Sequence, residues 1–423
     1  MKTPYRLIFT IAALAIACSS AVRAAEPALG ASVESLLAYA LEHNPELAAM
    51  RHEAQAAEER IAPAGALPDP RFRATLSDIT RMGEQNPSLL PGRVGQTSYL
   101  WMQEVPWFGK RNLKREIAQQ DALGAKGSTQ GTWAELSRRI KSGYAQLYFV
   151  QRSEQLLQEN LNLMAQLEKL SLSRYANGLV PQQDVIRSQV EQGSLSSDQI
   201  ALQMEHHHWH ARINALLSRA ADEPLTPPDT LRPLPVPALL DWSTLRERVQ
   251  AKNPQLFTQD ARVLSAEKSR DLARKNRYPD VTFGVAPTQQ GNSFRQWELM
   301  VEFNIPLQQG TRAAQEREAE ALLAAAQERR QAAINQVFSE LTQSLSALEA
   351  ARRTDDVTGT RLLPQAELTF QSALAAYEAG KVDFATLLDA QRQIRQARLN
   401  QLKSKVDAQL QLAELERILG EDL

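Results

Sequence analysis

The chain is written twice, and this duplication limits what it can fold into more than any other feature. The stretch LLAYALEHNPELAAMRHEAQAAEERI at 36–61 is answered by LRERVQAKNPQLFTQDARVLSAEKSR at 245–270. Asn44-Pro45 returns as Asn253-Pro254, 209 positions on, and Pro68-Asp69 with Phe72 returns as Pro279-Asp280 with Phe283, at 211. Pro106 faces Pro306 at 200, and YANG (175–178) faces YEAG (377–380) at 202. The drop from 211 to 200 places an extra 11 residues in the first copy, between its two short strand-like segments. A linker carrying Pro224, Pro227, Pro228, Pro233, Pro235 and Pro237 separates the copies. Two like repeats, 25–219 and 241–423, are therefore expected around a proline-rich segment at 220–240.

Both copies share one grammar. An amphipathic helix opens after the Asn-Pro signal, and then the apolar period changes from 3.6 to 2. Val281, Phe283 and Val285 alternate with Thr282 and Gly284; Trp297, Leu299, Val301, Phe303 and Ile305 alternate with Gln296, Glu298, Glu302 and Asn304. In the first copy Phe72, Ala74 and Leu76 alternate with Arg71, Arg73, Thr75 and Ser77, and Thr97, Tyr99, Trp101 and Val105 share a face that Gln103 interrupts. Strands are expected at 71–79, 96–105, 280–287 and 294–305, apolar on one face and polar on the other. Pro106 and Pro306 end the second strand of each pair.

Very long helices follow. No proline occurs from Arg111 to Asn177, enough for roughly 67 residues and about 100 Å of helix. The second copy runs from Thr311 to Ala379, with Pro364 expected to kink it. Gly178 and Gly380 stop the two segments, so hairpin tips are expected at 177–180 and 379–382. In the last return helix Leu399, Leu402, Val406, Leu410 and Ala413 make the seam of an antiparallel coiled coil.

At the N-terminus Lys2 and Arg6 precede the apolar run 7–17 and a small-residue region, which reads as a secretory signal peptide at 1–24. Cys18 is the only cysteine. It is either lost with the signal or, within the imperfect lipobox Ala15-Ile16-Ala17-Cys18, lipidated. Either way the mature chain has no disulfide and no thiol metal cluster. A net charge of −1 argues against nucleic acid as a partner.

Enzyme motifs are missing, and no cofactor is expected. His52–Ala56 lacks the second histidine of a zinc-protease helix, and Phe108–Arg111 lacks the upstream glycine of a phosphate loop. Four of the six histidines cluster at 206, 207, 208 and 210. His206 and His210 share a helical face and are weak candidates for a divalent metal; a solvated polar face is the alternative.

Four strands cannot close a barrel, and an open sheet leaves two edges unpaired. Several chains sharing one barrel solve both problems. Arg71, Arg73, Glu298 and Glu302 suit a wet lumen, while Tyr99, Trp101, Trp297, Leu299 and Val301 suit a lipid-facing wall. A soluble sheet covering the helix ends is the alternative.

On the duplicated Asn-Pro helix, the strand pairs ending in Pro106 and Pro306, and the Y-x-x-G turns at Tyr175–Gly178 and Tyr377–Gly380, the chain resembles the TolC-type outer-membrane efflux channels of Gram-negative bacteria. LPDPRF and VPWFGKR look most like the members serving Cus and Czc heavy-metal exporters. The resemblance implies a mostly α fold with a small β part: antiparallel coiled-coil helices forming a periplasmic tunnel, and four strands per chain contributing to a twelve-stranded transmembrane barrel in a homotrimer. It implies a passive duct with no enzymatic activity. The implied partners are a periplasmic adaptor (membrane fusion) protein, an inner-membrane transporter of the resistance-nodulation-division type, and outer-membrane lipid. Drug efflux, type I protein secretion and a soluble periplasmic scaffold are the competing functions.

The resemblance also implies roles for residues. The adaptor would dock on Asn177, Gly178, Leu179, Val180, Ala379, Gly380, Lys381 and Val382. Asp184 and Tyr377 match an acid and a tyrosine that close the tunnel near this tip. The arginine usually found with them is Val382 here, with Lys381 as the candidate substitute. Asp389 matches a lumen-facing position, where three copies would form a carboxylate ring favouring cations.

Overall fold

The structure, a computed structural model, describes residues 29–423, so the signal segment and Cys18 lie outside the described residues. The first repeat contains α1 (Val33–His43), α2 (Pro45–Glu59), α3 (Ile61–Ala64), β1 (Arg71–Ser77), β2 (Gln96–Val105), α4 (Lys110–Ala176) and α5 (Gln182–Leu216). The second contains α6 (Trp242–Lys252), α7 (Pro254–Lys275), β3 (Val281–Gln290), β4 (Ser293–Phe303), α8 (Gln309–Val357), α9 (Leu363–Glu378) and α10 (Phe384–Leu419).

The Asn-Pro pair is a joint between helices. Asn44 leaves the helical region, so α1 stops and α2 starts on either side of it. Its side-chain oxygen accepts the Leu47 N–H at 3.0 Å, and Pro45 sits in the first turn, where a missing N–H costs nothing. The amide nitrogen does a second job: it donates to the Leu216 carbonyl at the end of α5, at 2.8 Å. Asn253 repeats both contacts, accepting from Leu256 at 2.8 Å and donating to the Ile418 carbonyl of α10 at 2.7 Å. Helix α2 therefore stands on the end of α5, and α7 on the end of α10. Beside the second joint Gly420 turns with φ +75, and a Cβ there would lie 2.9 Å from the Pro254 ring.

These joints produce four columns in one layer, in the order α5/α2, α4, α10/α7, α8–α9. Column α4 alone, at 67 residues, is about 100 Å long. Leu36, Ile140, Ile213 and Leu217 are buried around the first joint, and Leu245, Leu256, Leu341, Leu415 and Ile418 around the second. The proline-rich linker crosses the columns near the same level. Arg232 reaches Glu416 of α10 with both guanidinium nitrogens (3.1 and 2.9 Å), and the Tyr144 hydroxyl of α4 donates to the Thr230 carbonyl at 3.1 Å. Beneath it Lys141 of α4 pairs with Glu416 at 2.8 Å, both side chains buried.

Pro364, where a kink is expected, follows a local change of helix type. The chain widens to a π turn over Thr358–Leu362 and restarts at Leu363, which puts the proline in a first turn.

The strands form one antiparallel sheet in the order β1-β2-β3-β4, so β1 and β4 are its edges. Its strand ends differ from the expected ones for local reasons. β1 stops at Ser77, not 79, because Asp78 turns with φ +55 and its carbonyl accepts the Gly95 N–H. β3 runs from 281 on to Gln290, beyond 287, because a two-residue turn at Gly291-Asn292 lets Gln290 pair with Ser293. β4 accordingly starts at 293, and it ends at Phe303, short of 305, as the chain turns out ahead of Pro306.

Replacing Asn253 by Asp tests the joint, since a carboxylate still caps α7 but cannot donate to Ile418. Leaving that buried carbonyl without a partner should cost about 1–3 kcal/mol in denaturant unfolding, and Asn44→Asp should behave alike. Wild-type stability in both variants would show that the inter-helix bonds contribute nothing.

Candidate functional site

Two regions carry chemistry: the hairpin tips at one end of the columns and the sheet at the other. The tips are twins. Gly178 and Gly380 both take φ +71. In the first, the N–H groups of Gly178 and Leu179 bond back to the carbonyls of Tyr175 and Arg174, each at 2.9 Å; in the second, Gly380 and Lys381 bond to Tyr377 and Ala376, at 2.9 and 2.8 Å. This is the Schellman arrangement, and its left-handed residue is why glycine stands there. Asn177, Ala379 and Leu179 are exposed, while Val180 and Val382 pack inward against a cluster holding Tyr377 and Phe384.

The matched tyrosines part company. Tyr175 is 42% exposed and Tyr377 only 1%. The Tyr377 hydroxyl lies 3.1 Å from Ser171 Oγ of α4, and beyond the effect of burial the Asp184 carboxyl of α5 is near enough to raise its pKa. Asp184 and Tyr377, singled out from opposite repeats, are thus brought together. Lys381 does not join them: it is exposed and makes no ion pair among the described residues. Its place is taken by Arg174, whose guanidinium stacks 5.3 Å from the Tyr377 ring centroid and donates to the Glu378 carbonyl at 2.6 Å. Ser171 and Arg174 escape a reading of the sequence, because their partners lie 206 and 204 positions away. The one local hint is that both fall within two turns before Gly178.

Burial pushes the Asp184 carboxyl above its ordinary value, with Arg187 pulling it down and Asp383 adding to the rise. An acid raised in this way holds its proton more readily in the folded tip than in the unfolded chain. Its contribution to stability is complete below the ordinary carboxylate range and is lost as pH rises through the raised value. Burial likewise pushes up the Tyr377 hydroxyl.

Asp389 is exposed on α10, 3.9 Å from Arg392, which itself binds Glu191 of α5 at 2.5 Å. A groove of about 610 Å³ runs between α5 and α10 here, lined by Ile186, Arg187, Val190, Leu388 and Asp389 among others. The histidines do not converge. His206 faces Glu154 at 4.0 Å, His210 faces the Ala221 carbonyl at 3.3 Å, and no group of three metal-binding side chains forms among the described residues.

In the sheet, register builds two unlike faces. Phe72–Trp101–Val285–Leu299 and Gln103–Phe283–Val301 follow one another across the strands. This apolar face is open: Leu299 is 86% exposed and Trp297 70%, and Trp101, Val301, Phe283 and Phe303 are also exposed. Tyr99 is half-buried and donates to Gln289 at 3.1 Å. Gln103, the expected interruption, turns its amide to the Pro68 carbonyl at 2.8 Å. The opposite face carries Arg71, Arg73, Glu298 and Glu302 but is not wholly polar, because Leu100, Met102 and Met300 close over Gly284. No helix among the described residues is long and apolar enough to cross a membrane. An apolar sheet face of this extent needs a cover other than water.

Comparison with known proteins agrees with this architecture. Residues 36–217 and 245–421 match the outer membrane efflux protein family. The cobalt-zinc-cadmium resistance protein CzcC of Cupriavidus metallidurans is 22% identical over 398 residues, 92% of this chain and 90% of that protein. The solved structure of CusC superposes with a TM-score of 0.79 at 18% identity, covering 92% of each chain. That of the outer membrane protein VceC of Vibrio cholerae superposes at 0.78, also with 18% identity, over 92% of this chain and 96% of the other.

The tyrosine contrast is testable by limited trypsin digestion. Tyr377→Ala removes a fully buried ring, an operation that costs about 3–5 kcal/mol, and should speed cleavage at Arg174 and Lys381. Tyr175→Ala should leave the digestion pattern unchanged. Equal effects would contradict the asymmetry of the tip.

Proposed function

We propose, because the chain belongs to the outer membrane efflux protein family, that three copies form the exit duct of a tripartite efflux pump in the outer membrane of a Gram-negative bacterium. The observation that carries the proposal is the sheet: four strands, two free edges, one open apolar face and one charged face. Three copies supply twelve strands, close the edges, put the apolar face in lipid and leave a wet lumen.

The helices support the same assembly. In α5 the residues Ile186, Val190, Gly193, Ser197, Ile200 and Met204 follow a heptad spacing, and the four large ones are exposed. At the other margin of the layer Leu362 and Leu368 are exposed. Side-by-side copies bury both margins and turn the layer into a tunnel wall.

A periplasmic adaptor would dock on the twin tips, which present exposed turn residues about 100 Å from the sheet. The Asp184–Tyr377 contact, with Arg174 stacked on the ring, would hold the tips together and narrow the entrance, and three copies of Asp389 would favour cations. Energy would come from an inner-membrane transporter of the resistance-nodulation-division type, so the duct itself does no chemistry. The cargo we favour is heavy-metal cations, on the likeness to CzcC.

Three measurements test this. Leu299→Arg places a charge on the apolar face at about 2–4 kcal/mol per site and should abolish the SDS-resistant trimer in outer membranes, whereas Glu298→Arg should keep it. Equal tolerance would refute the lipid face. Gly178 has open space around it but a left-handed backbone, so Gly178→Val should keep the trimer and lose export; normal export would remove the tip from adaptor docking. Finally, deleting the gene should sensitise cells to zinc, cobalt or cadmium, and sensitivity to drugs alone would overturn the cargo.

A further inference from the structure

The duplication lets the seam inside the chain serve as a template for the seam between chains. Inside the chain β2 of the first repeat pairs with β3 of the second, with Trp101 facing Val285, Met102 facing Gly284 and Gln103 facing Phe283. The counterpart of β2 is β4, 200 positions on, as Pro106 and Pro306 show; the counterpart of β3 is β1, 211 positions back, as Phe72 and Phe283 show. Both counterparts are the free edges of the sheet.

We infer that β4 of one copy pairs antiparallel with β1 of the next in the transposed register: Val301 opposite Ala74, Glu302 opposite Arg73, Phe303 opposite Phe72. This rests on the trimeric-barrel reading above and adds to it which residues meet.

Two features not used to derive this register agree with it. The first is charge. On the polar face β1 carries Arg71 and Arg73, and β4 carries Glu298 and Glu302. The transposition sets Glu302 directly opposite Arg73, where unlike charges on facing strands attract and like charges repel. Within the described residues none of Arg71, Arg73, Glu298 and Glu302 takes part in a salt bridge, so these charges are available across the seam. The second is face parity. Leu299 would face Leu76, Val301 Ala74 and Phe303 Phe72, so each of the three apolar residues on the open face of β1 meets an apolar residue of β4. A slip of one residue would set the aromatic face of one copy against the charged face of its neighbour. A slip of two keeps the faces: in one direction Glu302 falls opposite Thr75 and loses its partner, and in the other it falls opposite Arg71 with Val301 opposite Phe72, an arrangement that keeps one unlike pair and that cross-linking separates from the inferred one.

Cysteine cross-linking of the full chain in outer membranes reads the register. Directly opposed Cβ atoms lie about 4.5–5.5 Å apart and diagonal ones about 7–8 Å, while a disulfide needs about 3.5–4.5 Å. The pair Val301→Cys with Ala74→Cys should therefore link copies under mild oxidation at least about tenfold faster than Val301→Cys with Phe72→Cys or with Leu76→Cys. Single-cysteine variants account for Cys18. In parallel, Glu302→Arg and Arg73→Glu should each lower the SDS-resistant trimer fraction, and the double exchange should restore it. Preferential linking of Val301 with position 72 or 76, or failure of the exchange to rescue, would overturn the register while leaving the trimer standing. Monomers by light scattering in detergent, with no linking in any pair, would overturn the barrel itself.

Discussion

Everything in this architecture hangs on two asparagine side chains, each using both ends of its amide. A helix end leaves backbone N–H or C=O groups without partners, and a column of stacked helices must satisfy both kinds at every joint. Asparagine does so because one side-chain atom accepts and another donates. Asn44 caps α2 and holds the end of α5; Asn253 caps α7 and holds the end of α10. Aspartate or serine would cap equally well, but a carboxylate cannot hold a carbonyl.

Joining helices end to end turns a two-repeat chain into four parallel columns, and the columns fix what each end is for. Strands leave at one end and hairpin tips close the other, about 100 Å away. Buried clusters gather at the two joints and at the tips. The linker is pinned across the columns near the joints by Arg232, Tyr144 and the buried Lys141–Glu416 pair. The open apolar sheet face and the hairpin tips can therefore differ in surface chemistry without sharing a single residue.

The copies diverge where duty differs. Tyr377 is buried against Ser171, Asp184 and Arg174, while its twin Tyr175 faces outward. The first hairpin carries a long loop closed by Asp78 and Gly95, and the second a two-residue turn. The α8–α9 column inserts a π turn ahead of its proline, a feature that its twin α4 lacks. The strands themselves, by contrast, keep the repeat's alternation, and the register inferred between copies rests on that.

Much of this was legible in the sequence, because it rests on local chemistry. Period-two alternation identified the strands and their apolar face; glycine at φ > 0 and proline at helix starts marked tips and joints; a constant offset exposed the repeat. Strand ends were misjudged by two or three residues, since Asp78 and Gly291 place their turns through bonds the alternation does not contain. The tip was legible only in part. Asp184 and Tyr377 stood out, but Arg174, the cation stacked on the Tyr377 ring, did not. What the sequence determined by itself was therefore the parts, because periodicity and turn chemistry act over a few residues. Only the tertiary structure decided which tyrosine is buried, which arginine covers it, and what the second half of each asparagine amide holds. Those choices depend on partners some 165 to 206 positions away, where packing brings groups together that no local pattern relates.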